Sequence, residues 1–381
     1  MACKRLLEFD MEEKYKSLKN KKLILFFTYG VSLELWKEKG MFDREIKLYE
    51  RLGEEFNKVY FITYGKNDYK FANELKKYNI EILYKKSRLP NFLYSLLLPF
   101  IYKKQLKDSH FFKTNQMLGS WSAVISKLLY KKRLVVRTGY TLSIFSKKVG
   151  RMKHLFSRCI EWFALSTCDT FIVATKEESE YFKKYKSKIA VIPNYVDTKL
   201  FKPVTELKNR EEKDVLLFVG RFNKQKNLEN LVCALKGVDG VRLQLVGDGE
   251  LKEGLEKIAL QKEVDVEFLG RKSHEQLPNY INYADTFVLP SLYEGNPKVL
   301  LEAMSCGVPV VTTCVEGIEN IVKDRETAIL AQTDIVSLRR NIKDLKDDVN
   351  LRNRIGEKSR EYILKNNSLE KVLELELKNY D

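Results

Sequence analysis

Short runs of apolar residues alternate along the chain with longer segments of helical character. The apolar runs occupy 23–29, 58–63, 80–84, 110–114 and 133–137 in the first half, and 214–219, 241–246, 266–269, 286–289 and 308–313 in the second. Continuous apolar runs separated by helix-length segments are typical of parallel strands buried on both faces and built from βαβ units. The pattern therefore predicts an α/β protein with two doubly wound parallel sheets, each in a Rossmann-like domain.

The boundary between the two predicted domains follows a strand-like run at 189–192. There the segment IPNYVDTKLFKP is followed by a polar stretch at 206–213. We expect a first domain over 1–190 and a second over 191–365, with a C-terminal helix at about 366–381 as a candidate to pack back on the first. Because doubly wound sheets bind ligands beyond the carboxyl ends of their strands, the expected site is a central cleft that both domains face.

Composition narrows the class of protein. Of the 381 residues, 44% are hydrophobic and 31% are charged, which excludes a disordered or fibrous chain. Six cysteines without CxxC spacing predict neither a disulfide scaffold nor a zinc module. The N-terminal sequence has no apolar signal-peptide segment, and the longest apolar run, 92–102, has about half of the roughly 20 residues that a membrane span needs. We therefore expect a cytoplasmic protein.

The net charge of +16 resides in the first half of the chain. Residues 1–190 hold 39 Lys and Arg against 20 Asp and Glu, and residues 82–160 hold 17 against 1. A one-sided basic field implies an anionic partner, which can be a phosphate substrate, a nucleic acid or an anionic membrane surface. A lysine-rich coding bias is the other explanation, although a bias alone would have made both halves basic.

The apolar run at 92–102, FLYSLLLPFIY, lies inside this basic stretch, between cationic clusters at 85–88 and 103–107. Apolar side chains at the acyl boundary with lysines at the headgroups suit a membrane-interface element, so peripheral association with the inner membrane face is expected. A buried core helix with basic ends is the alternative that the same residues allow.

A first candidate motif, VLLFVGRFNKQKNLENLVCAL, joins a strand to a helix in the second half. Gly220 allows a tight exit from the strand, and Arg221 and Lys226 lie in the loop that follows. Asn227 is the predicted N-cap of the next helix, which ends at Gly237. Two cations beside a helix N-terminus form an anion site, because free N–H groups and the helix dipole add to the side-chain charges. A pair of solvated loop cations is the alternative.

A second candidate motif, LPSLYEGNPKVLLEAMSCGVPVVTT, also joins a strand to a helix. Asn296 is the predicted N-cap and Pro297 the first helical residue, while Gly307 is predicted at the position after the C-cap.

Two acids accompany this helix. Glu294 enters from the loop before the helix, and Glu302 lies nearly two turns inside it. A carboxylate can accept two hydrogen bonds from a vicinal diol, and the helix N-terminus offers N–H groups to a phosphate. The motifs together indicate a ligand with a polyol and a diphosphate, and an ordinary βα unit with surface acids is the alternative.

These residues resemble the signature of the family 4 retaining glycosyltransferases of the GT-B fold, the glycosyl transferases group 1. The run PSLYEGNPKVLLEAMSCGVPVV is similar to the family's two-acid motif, and VGRFNKQKN is similar to its diphosphate loop. IPNYVDTKLFKP, LVGDGELKEGL and FLGRKSHEQLPNYINYADTFVLPS are similar to other segments of its donor domain. The resemblance covers about 190–330 and implies an acceptor-side first domain and a second domain that binds a nucleotide-sugar donor.

The resemblance also implies roles for individual residues. Arg221 and Lys226 would hold the donor diphosphate, Glu294 would contact the transferred sugar, and these three form the predicted catalytic set. Glu302 would bind the ribose hydroxyls, and GIENIV at 317–322 resembles a further element of the family. The implied donor-binding residues are Gly220, Arg221, Lys226, Gly270, Arg271, Glu294, Gly295, Asn296, Pro297, Lys298, Val299 and Glu302.

The first half matches the family less well. Gly30 and Gly40 follow the first predicted strand and are the candidates for contact with the donor phosphates. Many relatives place a histidine at the end of a middle strand, where this chain has VVRTGYTLS and no histidine. Arg137 and Tyr140 are therefore the candidates for the acceptor or donor side. His110 and His154 are two further candidates for the catalytic group on the acceptor side.

Transfer from a nucleotide sugar requires stabilisation of the leaving diphosphate, which the two cations and the helix N-terminus can supply. No DxD-type acidic pair stands at a strand end, so no metal ion and no cofactor are expected. The resemblance implies retention of anomeric configuration. The route is either front-face attack, in which the leaving phosphate accepts the acceptor proton, or a covalent intermediate on a carboxylate.

The sequence thus predicts a retaining hexosyltransferase that uses a nucleotide-diphosphate sugar, with UDP favoured over GDP. Its acceptor would be a glycan or a lipid-linked acceptor in cell-envelope or polysaccharide synthesis, and no nucleic-acid partner is expected. Two alternatives remain open. A nucleic-acid-binding protein would explain the basic first half but not the two-acid motif, and a glycoside hydrolase or phosphorylase would explain the acids but not the cation loop.

Overall fold

The computed structural model describes residues 16–139, 150–185, 187–207 and 212–380. They divide into two compact units. The N-terminal unit comprises the described residues up to Pro193 together with those from Val372 onward, and the C-terminal unit comprises Asn194–Lys371. The division between the units therefore lies between 193 and 194, close to the position predicted from the polar segment that follows the last strand of the first half.

The N-terminal unit is built on a seven-stranded sheet in which every strand pairs in parallel with its neighbours. The strand order is β3-β2-β1-β4-β5-β6-β7. The strands are β1 (Lys22–Phe26), β2 (Lys58–Ile62), β3 (Ile80–Leu83), β4 (Phe111–Thr114), β5 (Arg133–Arg137), β6 (Thr170–Val173) and β7 (Lys188–Val191).

Helices connect these strands and cover both faces of the sheet. They are α1 (Leu33–Glu38), α2 (Phe42–Glu55), α3 (Ala72–Lys76), α4 (Asn91–Ile101), α5 (Lys103–Asp108), α6 (Ser120–Tyr130), α7 (Arg151–Thr167) and α8 (Lys176–Phe182). From β3 onward the chain steps across the sheet in one direction, so right-handed crossovers bring α4, α6 and α7 to the same face. Their buried residues, among them Tyr94, Ala123 and Ile160, belong to one hydrophobic cluster.

The C-terminal unit repeats this architecture with six parallel strands in the order β10-β9-β8-β11-β12-β13. The strands are β8 (Asp214–Arg221), β9 (Val241–Asp248), β10 (Val266–Gly270), β11 (Thr286–Leu289), β12 (Val310–Thr313) and β13 (Ile329–Ala331). The helices that follow are α9 (Leu228–Leu235), α10 (Lys252–Lys262), α11 (Leu277–Tyr283), α12 (Lys298–Ser305), α13 (Ile335–Asp347), α14 (Val349–Asn366) and α15 (Leu369–Leu377). Most of α15 lies in the part of the chain that belongs with the N-terminal unit.

The predicted α/β class with two parallel sheets is confirmed, and each of the ten predicted strands is present with shifts of a few residues at its ends. The strand-like run at 189–192 corresponds to β7. Two strands, β6 and β13, were not predicted. Both are short apolar runs, TFIV and ILA, and runs of three or four residues carry too little periodicity to be recognised.

A buried ionic cluster ties the end of the chain to the sheet of the N-terminal unit. Glu376 of α15 is fully buried, and its two carboxylate oxygens lie 2.8 and 3.0 Å from the Nζ atom of Lys113 on β4. The guanidinium of Arg137 on β5 donates to the same carboxylate at 3.0 Å. Burial alone would raise the pKa of Glu376, but the two cations outweigh it and hold this pKa below its ordinary value of 4.5.

Candidate active site

The strand order of the C-terminal unit reverses direction between β8 and β11. From β8 the chain proceeds through β9 and β10 to one edge of the sheet, and from β11 it proceeds through β12 and β13 to the other. The loops that leave the carboxyl ends of β8 and β11 therefore diverge to opposite sides. In open α/β sheets such a switch point is the expected place for a ligand. Both predicted motifs follow these two strands, so the fold brings them together.

The two cations of the first motif have different environments. Arg221 is the last residue of β8, is exposed, and has no ion-pair partner among the residues that the structure describes. Lys226 ends a short 3-10 turn, and its ammonium group contacts the carboxylate of Glu294. One cation thus faces solvent freely, whereas the other is held against the acid of the second motif.

Glu294 is surrounded by polar groups from both loops. Its side chain is 8% exposed. The hydroxyl of Ser291 donates to Oε1 at 2.6 Å, and the Nε2 atom of Gln225 lies 3.5 Å from Oε2. The two loops are also joined through the backbone, because the N–H of Leu292 donates to the carbonyl of Gln225 at 2.8 Å. The carboxylate is therefore held in a defined position.

The GIENIV element packs closely against the acidic loop. Gly317 has a φ of +85°, and a Cβ atom at this position would lie 2.2 Å from the carbonyl oxygen of Gly295 and 2.5 Å from that of Glu294. Only glycine fits this position, because both the backbone conformation and the close approach exclude a side chain. Gly317 therefore lets the segment after β12 support the loop that carries Glu294.

The helix of the second motif begins one residue later than predicted. Pro297, not Asn296, occupies the N-cap position of α12, and no side chain caps this N-terminus. The Asn296 carbonyl instead accepts a hydrogen bond from Nδ2 of Asn194 at 2.9 Å, and its buried Oδ1 has no partner among the described residues. The prediction for the other end is confirmed, since α12 ends at Ser305 and Gly307 has a φ of +70°.

The prediction that Asn227 is the N-cap residue of α9 is confirmed by its position. Asn227 precedes the helix but has a φ of +55° and makes no side-chain cap. Its Nδ2 atom donates to the carbonyl of Thr333 at 2.8 Å. Asparagine tolerates this left-handed conformation better than most residues. Asn227 therefore forms the turn after Lys226, and its side chain anchors that turn to the segment before α13.

Glu302 has a partner that the sequence did not reveal. It is 2% exposed, and its Oε1 lies 3.1 Å from the Nε2 atom of His274, which is 8% exposed. The His274 ring also packs on Phe201, with ring centroids 5.0 Å apart. His274 lies in the segment FLGRKSHEQLPNYINYADTFVLPS, and its 28-residue separation from Glu302 leaves no local pattern that could have singled it out.

The remaining donor-side residues lie at the same edge of the sheet. Gly270 ends β10 with a φ of +69°, and Arg271 pairs with Asp248 at the end of β9, at 3.4 Å. The Arg271 side chain is 76% exposed. Lys298 and Val299 begin α12, and the Lys298 ammonium lies 5.8 Å from the centre of the Tyr195 ring. Their predicted contacts with a donor are not tested by this geometry.

The candidates from the first half lie in the N-terminal unit. Gly30 and Gly40 both have positive φ angles, of +77° and +64°, and flank α1. The guanidinium of Arg137 is directed at Glu376 and the carbonyl of Ile192, so it has a structural function whether or not it also orients a ligand. Tyr140 lies outside the described residues.

The two further histidine candidates, His110 and His154, lie in different parts of the N-terminal unit, and no contact between the described residues links either one to the candidate site. The Nδ1 atom of His110 accepts a hydrogen bond from the backbone N–H of Lys22 at 3.2 Å, and burial together with neighbouring cations lowers the pKa of the imidazole. His154 lies in the first turn of α7. Within the described ranges, no group of three or more His, Cys, Asp or Glu side chains is arranged to hold a metal ion.

Comparison with known proteins identifies the family. The model of glycosyl transferases group 1 matches residues 203–362, and the model of glycosyltransferase family 4 matches residues 46–200. The two models together cover most of the chain, in the order of its two units. The chain therefore belongs to the group 1, family 4 glycosyltransferases, and its fold is GT-B.

Curated relatives are similar over about half of the chain. An uncharacterized glycosyltransferase of Methanocaldococcus jannaschii is 31% identical over 48% of this chain and 55% of its own length. The UDP-Gal:alpha-D-GlcNAc-diphosphoundecaprenol alpha-1,3-galactosyltransferase of Escherichia coli is 31% identical over 56% of this chain and 60% of its own length. The matched region thus spans little more than half the length of these relatives.

Solved structures are similar over nearly the whole chain. Sucrose-phosphate synthase from Thermosynechococcus elongatus has a TM-score of 0.75 at 20% identity and covers 95% of this chain and 98% of its own. HepE from Anabaena, solved in complex with UDP, has a TM-score of 0.76 at 17% identity and covers 94% of this chain and 99% of its own. At these identities the likeness establishes the GT-B fold.

Proposed function

We propose that this protein is a retaining hexosyltransferase that takes its sugar from a nucleotide-diphosphate donor, with UDP favoured over GDP. The observation that carries the proposal is the switch point of the C-terminal unit, where the exposed Arg221 ends β8 and the Lys226–Glu294 ion pair joins the loops that follow β8 and β11. Positive charge that is fixed where a diphosphate leaves is the main requirement of the reaction.

The donor diphosphate would lie between Arg221, Lys226 and the N-terminus of α12. This helix N-terminus has no side-chain cap and adds its dipole to the two cations. In the transfer, the bond between the anomeric carbon and the β-phosphate oxygen breaks, and the acceptor hydroxyl oxygen bonds to the same face of that carbon. The acceptor proton passes to the leaving phosphate, so no protein base is required.

The two acids would serve different parts of the donor. Glu294, held by Lys226 and Ser291, would contact the transferred sugar and stabilise the positive charge that develops at the anomeric carbon. Glu302 would bind the ribose hydroxyls, since a carboxylate can accept hydrogen bonds from a vicinal diol. His274 would then act as a positioning residue that fixes the orientation of Glu302.

The relatives support the substrate classes. The E. coli relative is named for a UDP-galactose donor and an acceptor carried on diphosphoundecaprenol, and HepE was solved with UDP. We therefore propose a glycan or lipid-linked glycan as the acceptor, in the synthesis of cell-envelope or other polysaccharides. The reaction needs no metal ion in this proposal, because the fixed cations neutralise the leaving group.

The test is a thermal-shift panel of UDP, GDP, ADP and CMP, alone and as sugar conjugates. A ligand at 100 times its dissociation constant adds about 2.7 kcal/mol to the free energy of unfolding, which gives a clear shift. A shift with one nucleoside diphosphate is the expected result and names the base. Absence of any shift, together with salt-sensitive binding of RNA or DNA, would favour the nucleic-acid alternative, and sugar release without a nucleotide would favour a hydrolase or phosphorylase.

A further inference from the structure

Helix α4 exposes six apolar side chains to solvent, while its buried face combines Tyr94 and Ser95 with Leu98 and Pro99. Tyr94 and Ser95 are buried, and they bond to the carbonyl of Thr63 at 3.2 Å and to Nε1 of Trp121 at 3.0 Å. A surface helix usually exposes polar residues on the face opposite the core, and α4 does not. The exposed residues are all apolar, with exposures from 36% to 59%: Phe92, Leu93, Leu96, Leu97, Phe100 and Ile101.

The neighbouring helices extend this surface. Both α4 and α7 pack against α6, and the hydroxyl of Tyr130 at the end of α6 donates to the carbonyl of Pro99 at 2.7 Å. Exposed apolar residues on α7 recur at helical spacing, and two more end α6. They are Met152, Leu155, Phe156, Trp162, Leu128 and Leu129, exposed by 47% to 82%. We call these twelve residues of α4, α6 and α7 the apolar face.

Exposed cations border the apolar face. Lys86 and Arg88 precede α4, Lys103 and Lys104 follow it, and further exposed cations are Lys107, Lys131, Arg151, Lys153 and Arg158. Between 82 and 160 the only acid is Asp108, and it pairs with Lys22. Exposed apolar side chains on three packed helices, accompanied by exposed cations and almost no acids, fit a partner that is apolar inside and anionic outside.

We propose that the apolar face docks the protein on a bilayer that contains anionic lipids, with the apolar side chains at the acyl boundary and the cations at the headgroups. Such a surface lies on the membrane, and none of the described helices is long and apolar enough to cross one. A second copy of this chain is a less suitable partner, because its cationic border would repel the cationic border of the first. A nucleic acid would gain no base stacking from the leucines, which make up half of the apolar face.

The test is flotation of the full-length protein with vesicles of phosphatidylcholine, with and without phosphatidylglycerol. The wild type should float with the anionic vesicles and lose most binding at high salt. The double variant Leu97→Glu/Phe100→Glu changes two exposed residues and should lower the partition coefficient about tenfold or more. The matched control is Leu260→Glu, because Leu260 is 83% exposed on α10 of the C-terminal unit, and it should bind like the wild type.

A second readout is the emission of Trp162, which is 59% exposed and belongs to the apolar face, whereas Trp36 is buried. Anionic vesicles should shift the emission to the blue, and Trp162→Phe should remove most of the shift. The double variant Lys103→Ala/Lys104→Ala should weaken binding to anionic vesicles about tenfold and leave binding to neutral vesicles unchanged.

The proposal is overturned if the wild type floats with neither kind of vesicle, or if the Leu97→Glu/Phe100→Glu variant floats as well as the wild type. It is also overturned if the wild type is a dimer by light scattering and the variant is a monomer, with no vesicle binding by either. Unfolding curves and UDP binding of each variant separate loss of docking from loss of the fold or of the proposed donor site.

Discussion

The ammonium group of Lys226 contacts the carboxylate of Glu294, so the cation that follows β8 and the acid that follows β11 partly neutralise each other. The two side chains are 15% and 8% exposed, and a change in one therefore alters the field that acts on the other. Arg221, at the end of the same strand, stays exposed. The contribution of Arg221 to donor binding should consequently be separable from that of the coupled Lys226–Glu294 pair.

Replacement of Glu294 by Gln should reduce transfer far more than nucleotide binding. The amide keeps the shape of the side chain but removes the charge that would stabilise the developing cation, so kcat should fall about a hundredfold. Lys226 is then released from its ion pair, so the Kd for UDP should stay within about threefold of the wild-type value or decrease. Transfer assays and isothermal titration measure the two quantities.

The control for this variant is Glu229→Gln, which changes an acid in the first turn of α9 and should leave both quantities unchanged. If Glu294→Gln weakened UDP binding and transfer by the same factor, Glu294 would contribute to donor binding rather than to the chemical step.

Replacement of Arg221 by Ala should weaken diphosphate binding selectively. The exposed guanidinium has no ion pair with any described residue, so its removal breaks no internal contact and should not lower the melting temperature. The Kd for UDP should rise about tenfold, which is typical of one lost charge-assisted hydrogen bond, whereas the Kd for uridine should not change. Titration of the two ligands against the same variant measures the difference.

Arg325→Ala provides the comparison, because Arg325 is also an exposed arginine of the C-terminal unit but pairs with Asp344 at 3.0 Å. Its Kd for UDP should match that of the wild type. Wild-type UDP affinity in the Arg221→Ala protein would remove Arg221 from the donor site.

The sequence was sufficient to predict the strand ends that carry the candidate site. Both motifs follow apolar runs long enough to be recognised as buried strands, β8 and β11, and parallel strands place their carboxyl ends at one edge. The contact between Lys226 and Glu294 depends on the adjacency of those two strands. No local pattern encodes that adjacency, so the sequence predicted the two motifs but not their ion pair.

Long-range contacts account for most of what was missed. His274 precedes Glu302 by 28 residues, and Glu376 follows Arg137 by 239, so neither pair has a periodicity to detect. The side-chain caps expected of two asparagines are absent for a different reason. Asn227 and Asn296 both have strong capping propensity, but tertiary contacts with Thr333 and Asn194 fix them in other arrangements.

Replacement of His274 by Phe should reveal whether the histidine positions Glu302. Phenylalanine can keep the packing on Phe201 but removes the imidazole nitrogen that lies 3.1 Å from the buried Glu302 carboxylate, which should cost about 1–3 kcal/mol of unfolding free energy. If Glu302 binds the donor ribose, loss of the His274 contact should also raise KM for the nucleotide sugar, with a smaller change in kcat. Urea denaturation and steady-state kinetics measure these effects.

His274→Gln is the rescue variant, because its amide can donate to Glu302 from a similar position. It should recover part of the stability and most of the donor KM. A purely structural role predicts that the unfolding free energy changes in His274→Phe while the donor KM of the folded enzyme does not.

Replacement of Glu376 by Gln should destabilise the N-terminal unit in a pH-dependent manner. The variant leaves Lys113 fully buried without its counterion, and breaking a buried pair in this way typically costs about 3–5 kcal/mol. The pKa of Glu376 is lower in the folded protein than its ordinary value of 4.5. The stabilisation is therefore complete above about pH 4.5 and is lost as the pH falls toward the folded-state pKa, because the unfolded chain binds the proton first.

Urea denaturation of the wild type and the variant at pH values from neutral down to about 4 measures this dependence. The difference in unfolding free energy should be largest near neutral pH and should shrink as the solution becomes acidic. Glu374→Gln is the matched control on the same helix, since Glu374 pairs with Lys378 at the surface, at 2.6 Å. That variant should lose less than about 1 kcal/mol at any pH. A Glu376→Gln variant as stable as this control at neutral pH would show that the buried cluster contributes no net stabilisation.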